Sequence, residues 1–268
     1  MKTIHYLRLS VLLGLTFVLS SGGCGDSASP SVANSTSSGS SAGGDGQAGS
    51  LARFAVMGNT LYAVDDTKLR TFDLSSPQTP VPGPTVTIGT GIETIFPQAP
   101  YLFVGGQQGM TIFTTNTPNG TPQRVGSYSH VASCDPVVVA GRYAYVTLRN
   151  DGPCARGLNE LDVVDLANLS QPVLAKAFPL TKPYGLGTDS SLVFVCDQGI
   201  KVFDARTAPN LRQVEAFPLA ATDVIARRGV LLVTGSDGLY QYRYSAATAT
   251  AGAALQQLSR IPVTPPQL

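Results

Sequence analysis

Apolar and polar positions recur in one order along residues 51–263. The pattern is apolar, any residue, apolar, then an aromatic or Val, then Asp, with Pro several residues on. It occurs at Leu69 (LRTFDLSSP), Met110 (MTIFTTNTP), Leu161 (LDVVDLANLSQP) and Ile200 (IKVFDARTAP), and in degraded form at Leu239 (LYQYRYS). The intervals are 41, 51, 39 and 39 residues. A run rich in β-formers precedes each copy: TLYAV, YLFV, YAYV, LVFV and VLLV. Another run precedes that one (RFAVMG, ETIFPQ, DPVVVAG, GLGTD, DVIARRG), and a fourth follows the motif (PTVTIG, QRVGSY, VLAKAF, RQVEAF, QQLSRI).

Each unit therefore predicts four short strands, A to D, punctuated by Gly, Asn, Asp or Pro turns. Four-strand units of about 40 residues are the sequence signature of β-propeller blades. One blade cannot bury both of its faces, so the unit must recur. The expected fold class is all-β, a propeller of five four-stranded blades over residues 51–268. Nothing before Ala52 has a strand pattern, so the N-terminus donates no strand, and blade five is expected to close on blade one by face packing alone. No amphipathic helix is predicted.

The N-terminal residues read differently. Lys2 and Arg8 precede an apolar run of 11 residues, Leu9–Leu19. At roughly 20 residues per span that is too short to cross a bilayer, and it has signal-peptide proportions. Small residues lead to Cys24, which resembles the bacterial lipoprotein signal, in which the cysteine is lipidated and becomes the new N-terminus. Residues 1–23 are thus expected to be a lipoprotein signal peptide, with palmitate-type lipidation at Cys24. Residues 24–50 are mostly Ser, Gly, Ala, Asp and Asn. They hold too little apolar surface to offset ordering entropy and read as a flexible tether with a reach of roughly 25–30 Å.

Charge narrows the partners. The net charge is +1, and charged residues make up 13% of the chain. No global field or basic stripe favours nucleic acid. No nucleotide loop, His-Glu-x-x-His helix or Gly-x-Ser-x-Gly elbow is present, so no cofactor and no metal are expected.

LDVVD and IKVFD, with YAYV upstream and an Asx-x-x-x-Pro turn downstream, resemble the LVIVD-repeat proteins of bacterial surfaces. SCDPVVVAGRYAYVTLRNDGPC, followed by PYGLG and VFVCDQGIKVFD, looks like the lipoproteins of that family. The resemblance covers all five units. It implies a propeller at the bacterial cell envelope and carries no catalytic residue. Asp73, Asp165 and Asp204, with Thr114 and Arg243 at the matching positions, end the motif. An Asp there accepts a backbone hydrogen bond from two residues on and closes the C–D turn.

Propeller strand order puts the D–A and B–C connections on one face. The largest insertion, Thr147–Glu160, is the B–C loop of the third unit, with 14 residues where the fourth unit has 4. Long loops on one face of a repeat array mark its working face. The strand-A starts there are Arg53, Glu93, Asp135, Tyr184 and Thr222, with Asp223 beside the last. Together with Arg149, Asp151 and Arg156 from the insertion, they form the candidate ligand funnel. Cys134 and Cys154 lie on the same face of one blade and are expected to form a disulfide behind an export signal. The bridge closes a loop of about 20 residues, worth about 3 kcal/mol in the loop-entropy model. Cys196 is left as a small buried filler, and its spacing with His130 and the other cysteines matches no zinc knuckle.

The reading is a monomeric, non-enzymatic binding or scaffold module, membrane-anchored by its lipid in the bacterial envelope, for a protein or glycan. The alternative is a propeller-type glycoside hydrolase or lyase using Glu93 and Asp135 as its two carboxylates.

Overall fold

The computed structural model of the chain describes residues 49–130, 136–151, 158–245 and 255–263. All belong to one unit, Ser41–Leu268. Five antiparallel sheets of four strands, each in chain order, form a five-bladed β-propeller. Blade 1 is β1 (Phe54–Met57), β2 (Thr60–Val64), β3 (Lys68–Asp73) and β4 (Val81–Thr87). Blade 2 is β5 (Ile92–Gln98), β6 (Tyr101–Gly106), β7 (Gly109–Thr114) and β8 (Gln123–Ser129). Blade 3 is β9 (Val137–Ala140), β10 (Tyr143–Leu148), β11 (Glu160–Asp165) and β12 (Val173–Pro179). Blade 4 is β13 (Pro183–Asp189), β14 (Leu192–Asp197), β15 (Ile200–Asp204) and β16 (Arg212–Phe217). Blade 5 is β17 (Asp223–Arg227), β18 (Val230–Gly235), β19 (Gly238–Arg243) and β20 (Gln256–Pro262).

Strand β14 shows why the blade needs neighbours. Successive side chains of a strand point to opposite faces. Val193 and Val195 enter the apolar cluster shared with blades 2 and 3. Leu192, Phe194 and Cys196 enter the cluster shared with blade 5. Strand β6 divides in the same way: Phe103 faces blade 3, and Leu102 and Val104 face blade 1.

The turns explain the recurring aspartates. Asp73 accepts from Ser75 N at 2.8 Å, Asp165 from Ala167 N at 2.8 Å and Asp204 from Arg206 N at 3.0 Å. Thr114 Oγ1 does the same for Asn116 N at 3.3 Å. These residues close C–D turns, as the sequence pattern predicts. Glycine decides how closely β13 meets β17. A Cβ at Gly187 would lie 2.9 Å from Val224 O, and one at Gly185 would overlap the Asp223 carboxylate. Only hydrogen at these two positions lets Gly185 N reach Thr222 O at 2.9 Å.

Closure of the ring differs from expectation. Apolar clusters join blades 1 and 2, blades 2, 3 and 4, and blades 4 and 5. Among the described residues none joins blade 5 to blade 1, and Phe54 on β1 is 60% exposed. The contacts that join them are polar. Residues Gly49 to Ala52 form a turn, with Ala52 N donating to Gly49 O at 3.0 Å. Ser50 Oγ donates to Asp223 Oδ1 at 3.0 Å and accepts from Leu186 N at 2.8 Å. Ile95 N donates to Ala52 O at 2.9 Å. The turn therefore touches blades 2, 4 and 5. Among the described residues no N-terminal strand joins a blade, and a polar turn takes part in closing the ring beside face packing. Gly49 and Ser50, assigned to the tether by composition, pack with the propeller, and Ser50 is 1% exposed.

Candidate binding face

Strand β10 ends at Leu148, so Arg149 begins the B–C connection of blade 3 at its face end. From there its guanidinium carbon lies 4.6 Å from the centre of the Tyr184 ring on β13. Its Nε pairs with Asp151 Oδ1 at 2.5 Å. Asp151 Oδ2 stands 3.4 Å from Lys182 Nζ, which itself lies 5.7 Å over the Tyr184 ring. Thr147 Oγ1 donates to Tyr184 O at 2.7 Å and pins the backbone under that ring. One aromatic side chain is thus flanked by two cations and a bridging carboxylate.

Glu93 on β5 faces the same centre. Burial raises its carboxyl above the usual range, opposed by a hydrogen bond from Gln107 and by the charges of Arg149 and Arg53. Arg53, just before β1, donates from Nη2 to Ile92 O at 3.1 Å. Five residues of the expected funnel are therefore brought into one constellation: Arg53, Glu93, Arg149, Asp151 and Tyr184. Asp135 and Arg156 lie outside the described residues, as do Cys24, Cys134 and Cys154 of the lipidation and disulfide expectations. The Glu93–Asp135 pair therefore falls partly outside the described residues.

Asp223 has a different role from the one its position predicted. Its carboxylate accepts from Ser50 Oγ and, at 3.4 Å, from Leu51 N. Burial pushes its pKa up to about 6 against those bonds. Its oxygens hold the chain's own turn. Sequence reasoning missed Lys182 and Gln107. Lys182 is two residues before Tyr184, hence on the same side of an extended chain, and that spacing was the available signal. Gln107 had none, because a short polar turn residue looks the same whether or not it meets a carboxyl.

A second acidic group lies between blades 2 and 3. Asp162 on β11 is 1% exposed and accepts from Tyr128 Oη at 2.8 Å. Burial raises its pKa, while the Tyr128 bond and the His130 charge oppose the shift. Cys196 is buried without a disulfide, and burial pushes its thiol up. Among the described residues no group of three or more His, Cys, Asp or Glu is placed to hold a metal ion.

The LVIVD repeat family model matches residues 133–178, the stretch that forms blade 3. No curated protein matches the chain significantly. Similar solved structures include a protein of unknown function from Desulfotomaculum acetoxidans, 8% identical, TM-score 0.59, covering 75% of this chain and 65% of that one. A 6-phosphogluconolactonase candidate from Bacteroides uniformis is 14% identical, with TM-score 0.61 and coverage of 78% and 70%. The periplasmic gluconolactonase PpgL of Pseudomonas aeruginosa is 14% identical, with TM-score 0.56 and coverage of 77% and 68%. The chain spans slightly less than two thirds of the first of these. At such identities the likeness concerns the fold alone.

Proposed function

We propose that this chain, a propeller carrying an LVIVD repeat, is a non-enzymatic binding or scaffold module of the bacterial envelope. It is held at a membrane by a lipid on Cys24 and engages a protein or glycan through its charged face. The observation that supports this is the reach of Arg149. It starts on blade 3, stacks on Tyr184 of blade 4 and lies close enough to Glu93 of blade 2 to influence its carboxyl. Side chains from separate blades held at fixed spacing form a rigid polar recognition surface. A cation–π contact of this kind contributes roughly 0.5–2 kcal/mol, enough to fix the guanidinium before a ligand arrives.

The test is capture of envelope components and a glycan array, using the full chain beside Arg149→Ala and Tyr184→Ala. Binding that falls at least tenfold in both variants supports the face. Binding unchanged in both removes it.

One observation keeps an enzymatic reading alive. Glu93 is a half-buried carboxyl with a raised pKa at the propeller mouth, the profile of a general acid. Two of the similar folds carry lactonase names, so sugar lactones join glycosides as substrates to assay. Turnover abolished by Glu93→Gln would replace the binding reading with this one.

A further inference from the structure

The B–C connection carries the same device in four blades: an Asp that pairs with a nearby cation. Asp65 meets Arg70 at 3.1 Å in blade 1, Asp197 meets Lys201 at 2.6 Å in blade 4 and Asp237 meets Arg260 at 2.7 Å in blade 5. In blade 3, Asp151 does the same for Arg149. Blade 2 departs from this pattern. Counted from the motif starts Leu69, Met110, Ile200 and Leu239, Gly106 stands where blade 1 has Asp65, Gln107 where blade 4 has Asp197 and Gln108 where blade 5 has Asp237. Blade 2 has lost the acid and kept a cation. Among the described residues Arg124 on β8 meets no carboxylate, and its side-chain bond is from Nη2 to Ser127 Oγ at 2.7 Å.

The strand itself aims that guanidinium. Residues three apart on a regular strand point to opposite faces. The register of β8 shifts between Ile112 and Phe113, whose partners are Gly126 and Arg124, so Val125 is an extra residue. A bulge of this kind re-aims a side chain, and here it puts Arg124 on the side of Ser127. Ser127 is the register partner of Thr111, as Arg260 is of Tyr240 in blade 5. Arg124 therefore reaches the place that Arg260 occupies in its own blade.

A cavity of about 200 Å³ lies at this place, between the connection 88–90 and strands β7 and β8. Its polar lining includes Thr90, Gln108, Thr111, Arg124, Ser127 and Ser129, and among the described residues no Asp or Glu. Gln107 also lines it, but its amide is engaged by Glu93, whose charge is offset by Arg149 and Arg53. The cavity is smaller than the roughly 300–1,000 Å³ of drug-sized ligand sites, so it suits a small molecule.

We propose that this pocket binds a small oxyanion, a carboxylate or a phosphate monoester, which takes the part that the turn Asp plays in the other blades. Arg124 supplies a permanent charge, and its planar fork of N–H groups matches either head group. The Thr111 and Ser129 hydroxyls and the Gln108 amide are the donors for the remaining oxygens. The pocket is separate from the Arg149–Tyr184 pair, so this goes beyond the binding reading above and does not rest on it.

Titration calorimetry at low salt on the full chain in detergent tests it, with glycerol 3-phosphate and D-glycerate as anionic probes and glycerol as the neutral one. At least one anion is expected to bind at least tenfold more tightly than glycerol, and the one that does assigns the head group. Arg124→Gln should remove the difference. Gln108→Asp should remove it too, because it gives Arg124 the acid that Asp237 gives Arg260, with a melting temperature no lower than that of the parent. Tyr184→Ala should leave anion binding within twofold. The proposal is overturned if neither anion is preferred over glycerol, or if the preference survives Arg124→Gln or Gln108→Asp. A preference lost in Tyr184→Ala would put the anion at the wider face and overturn this assignment as well.

Discussion

Ser50 Oγ donates a 3.0 Å hydrogen bond to Asp223 Oδ1, joining residues 173 positions apart in the chain. The same oxygen accepts from Leu186 N, so one buried hydroxyl satisfies a carboxylate and a backbone donor. Leaving both unpaired costs about 1–3 kcal/mol. Ser50→Ala should therefore lower the melting temperature by several degrees, at about 2–4 °C per kcal/mol for a body of this size. Deleting residues 24–48 should leave it nearly unchanged, whereas deleting 24–50 should reproduce the loss. Equal melting of all three would mean that the turn does not support the ring.

Asp223 makes the stability depend on pH in a direction opposite to that of most surface carboxylates. Its folded pKa of about 6 exceeds its ordinary 3.8, so the folded state holds the proton more tightly. Its contribution is greatest below pH 4 and is lost as pH rises towards 6, by about 3 kcal/mol in all. Asp65 and Asp204, with pKa values near 2, act with the opposite sign. The comparison with Asp223→Asn isolates the one group. Parent stability should fall relative to the variant between pH 4 and 7 in chemical denaturation. A constant difference across that range contradicts the assignment.

Gly187 and Gly141 should respond differently to alanine. Gly187 lies against Val224 O and Ala226 N of the next blade, so a methyl group there forces backbone apart, at about 1–3 kcal/mol or more. Gly141 has φ +60° with open space around it, and alanine there costs only about 1 kcal/mol of backbone strain. Urea titration should rank Gly187→Ala clearly below Gly141→Ala. The reverse order would mean that the central strands can separate at little cost.

The proposed Cys134–Cys154 bridge has a stoichiometric test. With Cys24 lipidated, the denatured and unreduced protein should show one thiol, Cys196, and three after reduction. In the native protein Cys196 should not react, because it is fully buried and its thiol is held protonated. Three thiols before reduction would refute the bridge.

The repeat made the architecture legible. A strand's facing is set by a period of two, and the motif's apolar spacing carries that information locally, so four strands per unit and five units could be counted from residues such as Leu161 and Ile200. The turn role of Asp73, Asp165 and Asp204 was readable for the same reason, since each bond spans two residues. The shared face of Arg53, Glu93, Arg149, Asp151 and Tyr184 followed from strand order. What strand order could not supply was the partner of each side chain. Asp223 looked like a ligand-facing acid, and only the folded ring showed Ser50 beside it. Lys182 and Gly199 of blade 4 line one cavity with Thr222 and Ser236 only because blade 5 stands against blade 4. Local periodicity thus determined the elements and their order. Tertiary structure decided the long-range contacts, because a hydrogen bond or a cavity wall between residues far apart in the chain leaves no periodic trace in either segment.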